Sequence, residues 1–179
     1  PFAGGGSIFI PAPADQLFTA AYLIEAAWYY AATDLLGQPQ VARGQMIRDL
    51  KGVASLEANP RLRALVAEAA RYGVDRLLDD DLLTLGHGGG ACTWETGSLP
   101  EPAPWADLHD VPLALVTGTN GKTTTTRLIA AIGREAGAIS GLSSTEFVKV
   151  GDEILDRGDY SGPAGARLLL RDPRLELGV

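Results

Sequence analysis

The sequence predicts an α/β protein in two parts: an N-terminal α/β region at 1–97 and the start of a mainly parallel-sheet domain at 111–179, joined by a linker at 98–110. Three observations carry this expectation. The run VPLALVTGTNGKTTTTR, residues 111–127, passes from an apolar stretch through a glycine-containing turn into a helical pattern. Pro100, Pro102 and Pro104 punctuate a polar segment ahead of it, as linkers do. Residues 15–36 repeat apolar side chains at helical spacing, whereas 74–94 shortens to the period of strands.

Taken in order, residues 1–13 hold three glycines and a Pro-Ala-Pro around an apolar run at 8–10, expected as an edge strand or docked arm behind a flexible start. No Lys or Arg follows those glycines, so no phosphate loop is expected there. The first helix spans 15–36, where Phe18, Tyr22, Ala26, Tyr29 and Tyr30 form a stripe widened by Leu23 and Ala27. That stripe suits a core or an interface rather than a ligand box. Asp15 is placed to cap the helix and Gly37 to end it in a left-handed turn. Residues 41–58 set Met46, Leu50, Val53 and Leu56 at helical spacing, but Gly44 and Gly52 leave the segment ambiguous.

A cleaner helix starts at Asn59-Pro60, with Asn59 as cap and Pro60 where its missing N–H costs nothing. It buries Leu62, Leu65, Val66 and Ala69 and ends at Gly73. Strands follow at 77–78, 82–85 and 91–94, separated by Asp79-Asp80-Asp81 and by Gly86-His87-Gly88-Gly89-Gly90. The aspartates read as a solvated turn, because adjacent carboxylates rarely converge on a cation. His87 has no neighbouring histidine, only the distant His109, so a metal site is not expected there. Trp105 is expected to dock the linker. Beyond it come a helix at 123–136 with Leu128, Ile129 and Ile132 on one face, and a parallel strand at 138–142 completing a βαβ unit with an apolar strand at 113–116. A hairpin of 147–150 and 154–157, a helix at 163–170 and a strand within 173–179 complete the chain.

Strand, glycine turn, Lys-Thr and helix, in that order, form a phosphate-binding loop. Gly118 and Gly121 let the backbone turn its N–H groups towards an anion. The helix opening near Lys122 adds unpaired N–H groups and a positive dipole end. Lys122 supplies a point charge for terminal phosphates, and the Thr123 hydroxyl can hold magnesium. The pattern met is G-x-x-G-K-T, residues 118–123; Val116 stands where the longer form of this loop has glycine. The expected nucleotide-binding residues are Gly118, Thr119, Asn120, Gly121, Lys122, Thr123 and Thr124.

After its apolar strand, TGTNGKTTTT resembles the ATP-binding loop of the Mur ligase superfamily. The likeness continues in GDYSGPAGARLLLRDPRLE, residues 158–176, where it is to the Mur-ligase-like half of cyanophycin synthetase. The resemblance implies ATP and Mg²⁺, and an ATP-dependent ligase that joins a carboxylate to an amine through an acyl phosphate, with an amino-acid or peptide substrate. It assigns Lys122 to the β/γ phosphates as the catalytic cation, Thr123 and Thr145 to the metal, and Ser144, Asp159 and Ser161 to the substrate side. From the residues alone, 159–162 reads equally as a helix cap before Pro163, and Glu146 as a surface strand position. Residues 58–90 are more faintly similar to the segment preceding the ATP-grasp domain of cyanophycin synthetase, a domain for which this chain has no room.

The family's magnesium glutamate, its downstream lysine and histidine and its C-terminal domain would all follow Val179, and Glu176 falls too early for that glutamate. The chain is therefore expected to be an N-terminal portion that does not turn over alone. A non-catalytic nucleotide-binding regulatory or scaffold subunit is the alternative. A P-loop kinase or GTPase ranks below both, since neither a guanine-reading nor a kinase-type constellation is evident.

Composition narrows the class. Hydrophobic residues at 46% and charged residues at 21% describe a globular chain rather than a disordered one. A net charge of −7 argues against nucleic acid as the main partner. A single cysteine, Cys92, excludes an intrachain disulfide and fits a reducing, cytoplasmic setting; no run is long enough for a membrane span. A homo-oligomer remains compatible with all of this.

Overall fold

Two carboxylates fix the starts of the first helices, and each lies outside the helix it serves. They belong to the first of two compact units into which the chain divides between Val66 and Ala67. The computed structural model describes residues 9–179. The first unit holds α1 (Leu17–Leu35), α2 (Arg43–Glu57) and the beginning of α3 (Pro60–Tyr72). Glu57, the last residue of α2, accepts the backbone N–H groups of Phe18 and Thr19, both at 2.8 Å, and the Thr19 hydroxyl at 2.6 Å. It therefore does for α1 what a capping side chain does. Asp15, expected to cap α1, is instead buried and accepts the N–H of Asn59 and Nη2 of Arg63, both at 3.0 Å, at the start of α3. Asn59 caps α3 as expected, its Oδ1 accepting the Leu62 N–H at 3.0 Å.

The ambiguous stretch at 41–58 is helical, α2 tolerating both Gly44 and Gly52. The stripe of α1 is only partly a core: Ala26 is buried and Tyr22, Tyr29 and Tyr30 are half-buried, while Phe18 is 65% exposed. Its tyrosines work through their polar tips: Val41 N–H donates to the Tyr29 hydroxyl, and the Tyr30 hydroxyl donates to Val41 O. Phe9 and Ile10 lie outside any strand, and the glycine tract before them falls outside the described residues.

The second unit contains two sheets. β1 (Arg76–Leu78), β2 (Leu82–Leu85) and β3 (Cys92–Glu95) form an antiparallel meander in that order. The acidic turn between β1 and β2 is not simply solvated, because Asp79 takes Arg167 Nε at 2.8 Å and Arg171 Nη2 at 2.6 Å. Arg171 also donates to Thr84 Oγ1 in β2 at 2.8 Å. The segment 98–110 packs within this unit: Ala103 and Leu108 are buried, and Trp105 stacks on Tyr72 with ring centroids 4.5 Å apart.

The other sheet is built from β4 (Ser140–Ser143), β5 (Phe147–Val150), β6 (Glu153–Arg157) and β7 (Leu177–Gly178), in the order β6-β5-β4-β7. α4 (Lys122–Glu135) precedes it and α5 (Pro163–Leu170) lies between β6 and β7 in the chain. β4 and β7 are parallel, whereas β4, β5 and β6 pair antiparallel, so the sheet is mixed rather than mainly parallel. The expected strand at 113–116 is reduced to one parallel bridge, Leu113 to Gly178, backed by Ala114 N–H to Gly178 O at 2.9 Å. β7 thus sits between that segment and β4, and the βαβ unit skips one strand position. Leu115, beyond that bridge, is 96% exposed.

The core of this unit joins Val111, Val148, Val150, Leu169, Leu170 and Leu175. Glycines permit the closest approaches. A Cβ on Gly141 would meet Leu169 and Leu175 at 2.5 and 2.6 Å, and Gly133 of α4 lies directly against Ser140 and Leu177. This also decides which face of α4 is buried. Thr126 and Gly133 face inward, while Leu128 and Ile132 of the expected apolar face are 58% and 68% exposed.

Candidate nucleotide-binding site

The loop at 118–121 turns through two glycines in conformations that side-chain-bearing residues rarely adopt, Gly118 at φ 142° and Gly121 at φ 79°. Neither is crowded: a Cβ on Gly121 would meet nothing within 4 Å, and one on Gly118 only Asn120 O at 3.8 Å. The two glycines are therefore needed here for backbone angle and not for close packing. Gly121 precedes α4 without a side-chain cap, and the first backbone bond across this start is Thr125 N–H to Gly121 O at 2.9 Å. The opening N–H groups of α4, at Lys122, Thr123 and Thr124, are left to face whatever enters the loop. Lys122 folds back over the turn, its Nζ donating to Gly118 O at 2.6 Å. An exposed ammonium held by one neutral carbonyl exchanges that partner readily for an anion. These features fit a phosphate group.

The remaining expected residues gather at the end of β4. Ser144 is buried, and its hydroxyl is spent on the turn: it donates to Phe147 O at 3.1 Å and accepts the N–H groups of Glu146 and Phe147. Thr145 is exposed at the tip of that turn. Asp159 and Ser161 form a local turn in which Asp159 Oδ1 accepts the Ser161 hydroxyl at 2.7 Å and its N–H at 3.1 Å. Those two bonds, the hydroxyl first, hold the Asp159 carboxyl below the usual carboxylate range. Asp159 does not cap α5, whose flanking residue is Gly162 with Pro163 in the first turn.

Backbone contacts weld these pieces together. Tyr160 N–H donates to Ser144 O at 2.9 Å, Gly158 N–H to Glu146 O at 3.0 Å, and the Ser143 hydroxyl to Tyr160 O. Gly165 of α5 presses against the same Ser143 hydroxyl and Tyr160 carbonyl, an approach that a side chain would prevent. Because β4, β7 and the Leu113 segment run parallel, the Ser143–Ser144 end and the loop after 116 leave the sheet at the same edge. Ligands bind at that edge in open α/β sheets. A cavity of about 170 Å³ there is lined by 113–116, Thr126, Ser143 and 160–162. A larger one of about 540 Å³ lies between α4 and β5, near Arg127, Arg134 and Lys149; neither cavity is lined by residues 118–124, so the site is placed by the loop geometry and not by a cavity.

Two contributors escape a reading of the sequence. Arg127 donates to Glu146 Oε2 at 2.8 Å, tying α4 to the turn that carries Ser144 and Thr145. Its spacing four residues after Thr123, one helical turn on the same face, was the available signal. Ser143 fixes the loop at 160 through its hydroxyl, and nothing local distinguishes it from Ser144. Glu176 is also engaged structurally, accepting the Ile139 N–H at 2.8 Å.

Residues 116–163 match the Mur ligase middle domain. The match begins just before the glycine loop and ends at the first residue of α5, so it spans the loop, α4 and the Ser144 turn. A cyanophycin synthetase of Geminocystis herdmanii is 49% identical over 69 residues, 38% of this chain and 8% of the relative. The UDP-N-acetylmuramoyl-L-alanyl-D-glutamate–2,6-diaminopimelate ligase of Geobacillus kaustophilus is 54% identical over 44 residues, 25% of this chain and 9% of the relative. The UDP-N-acetylmuramoylalanine–D-glutamate ligase of Synechococcus elongatus is 67% identical over 33 residues, 18% of this chain and 7% of the relative. The matched stretch thus covers less than a tenth of each of these Mur-type relatives. Among the described residues, no helix is long and apolar enough to cross a membrane.

Proposed function

We propose that this chain supplies the nucleotide-binding part of an ATP-dependent carboxylate–amine ligase of Mur type. The observation that carries the reading is the uncapped start of α4 behind an open glycine loop, with Lys122 lying across it. The Mur-type relatives, all named as ligases or synthetases, give that loop its chemical context.

In this reading the N–H groups of 118–124 and Nζ of Lys122 bind the β- and γ-phosphates of ATP, leaving Gly118 O. Their charge neutralisation is the part of phosphoryl transfer that a protein provides without covalent chemistry. Thr123 and Thr145 are the hydroxyls that would hold Mg²⁺, which would supply charge neutralisation for the phosphates. Ser144 shapes its turn, its hydroxyl and backbone groups bonded to Glu146, Phe147 and Tyr160. The segment 159–162, fixed to the end of β4, borders the space where an amino-acid or peptide substrate would approach, its carboxylate activated as an acyl phosphate.

Calorimetric titration of the 179-residue chain with Mg-ATP tests the reading. Lys122→Ala should weaken binding about tenfold or more, roughly 1.4 kcal/mol, with the thermal midpoint unchanged. Equal affinity in the variant and the parent would remove the phosphate-loop assignment. Phosphate release that depends on both a carboxylate and an amine would separate a ligase from a nucleotide-binding scaffold.

A further inference from the structure

Three segments of the second unit converge on one buried histidine. His87 is 4% exposed. Its Nδ1 lies 3.3 Å from Asp110 Oδ1, yet the two do not form a hydrogen bond, and among the described residues neither atom has a hydrogen-bond partner. Asp110 uses its other oxygen, Oδ2, to accept the Asp75 N–H at 2.9 Å. That bond brings the Asp75 carboxylate alongside. One donor atom from each of Asp75, His87 and Asp110 lies within 4.8 Å of the other two.

Buried polar atoms are almost always hydrogen-bonded, and here an imidazole nitrogen and a carboxylate oxygen meet at ion-pair distance without hydrogen-bond geometry. A cation between them satisfies both at once. With zinc–ligand bonds of about 2.0–2.1 Å, neighbouring ligand atoms of a tetrahedral site stand roughly 3.3 Å apart. The His87–Asp110 separation fits such an edge.

We propose that Asp75, His87 and Asp110 form a binding site for a zinc-class divalent cation, with His87 Nδ1 and one oxygen from each aspartate as ligands. One imidazole with two carboxylates suits Zn²⁺, Co²⁺ or Mn²⁺ rather than the all-oxygen preference of Mg²⁺. This separates the site chemically from the metal position at Thr123. The exposed Asp75 side leaves a fourth position for water. Binding would clamp the end of α3, the glycine turn and residue 110 together, one residue before the core residue Val111 and just ahead of the segment that leads into the nucleotide loop. The sequence points away from this site because the partners of His87 are aspartates 12 and 23 positions away rather than a second histidine.

The test is zinc titration of the untagged, chelator-stripped 179-residue chain, followed by calorimetry and by histidine ring NMR. The chain has two histidines, so the His87 and His109 signals are assigned with one His109→Gln variant. The expected result is one equivalent of Zn²⁺, a shift of the His87 ring, and affinity reduced tenfold or more in both Asp75→Asn and Asp110→Asn. Lys122→Ala and Cys92→Ser should bind zinc as the parent does. His87→Ala replaces a buried side chain and can unfold the protein, so Asp75→Asn, at an exposed side chain, decides the matter. Zinc affinity unchanged in Asp75→Asn, loss of binding in Cys92→Ser, a shift of the His109 ring alone, or no stoichiometric binding would each overturn the proposal.

Discussion

The turn at 86–90 is filled and the turn at 118–121 is open, although both are rich in glycine. At Gly86, Gly88 and Gly90 an added Cβ would overlap backbone atoms: Gly90 O and His109 O for Gly86, Leu175 O for Gly88, His109 O for Gly90. The chain itself occupies the space that the missing side chains leave. His87 N–H donates to His109 O at 3.0 Å and Gly89 N–H to Leu175 O at 3.1 Å, so this turn spends its backbone groups on its neighbours. At Gly118 and Gly121 the same residue type is needed for backbone angle alone, and the space stays empty. Glycine content therefore does not by itself distinguish a turn packed against its neighbours from an open one.

That contrast can be broken by adding a single methyl group at each turn. Gly88→Ala should have the largest effect, because the methyl would strike the Leu175 carbonyl and approach Val111 Cγ1 at 2.9 Å from a left-handed backbone at φ 58°. A stability loss of about 3 kcal/mol or more is expected in urea unfolding. A loss below about 1 kcal/mol would mean that the turn moves aside and is less filled than described. Gly121→Ala should cost only about 1–2 kcal/mol, the backbone penalty without a clash, while weakening Mg-ATP binding. If Gly121→Ala proves the more damaging of the two to stability, the comparison is reversed.

The smallest expected effect lies in the first unit, away from both turns. Burial pushes the Glu57 carboxyl up, but hydrogen bonds from the Thr19 hydroxyl and from the N–H groups of Thr19, Phe18 and Leu17 outweigh it and hold it below its ordinary value of 4.5. A group depressed on folding stabilises fully above that ordinary value and loses its contribution as pH falls through the lower folded value. Acid titration of helicity should therefore show α1 weakening below about pH 4.5, and Glu57→Gln should flatten that change. At neutral pH, Glu57→Ala should cost about 1 kcal/mol or less, the range of a helix cap. A pH profile identical in parent and Glu57→Gln would show that the carboxylate does not cap α1 in solution.

What could be read from the sequence follows the range over which each residue acts. Helix ends set by neighbours within four positions, such as Asn59 and Gly37, are where the pattern places them. The meander and the hairpin at Gly151 follow from local alternation and turn chemistry. The turn and helix of the glycine loop were legible because glycines, lysine and helical pattern lie in one short run, whereas the strand expected before them is a single bridge. Failures came where a partner arrives from far along the chain. Glu57 takes the capping role from Asp15 across about forty positions, and β7 enters between two strands that the sequence would pair directly. Leu128 and Ile132 mislead differently: the face of α4 that meets the sheet is chosen by the smallness of Gly133, not by hydrophobicity.

The insertion of β7 also sets an order of events. The segment that carries the nucleotide loop is seated on the sheet by Gly178, which leaves the ribosome well after the loop and α4. Contacts so distant along the chain form late, because the loop-closure entropy between them must be overcome first. The nascent loop and helix can exist before their support arrives, but their alignment cannot. A ligand that needs that alignment, as the proposed nucleotide would, should slow unfolding far more than it speeds folding.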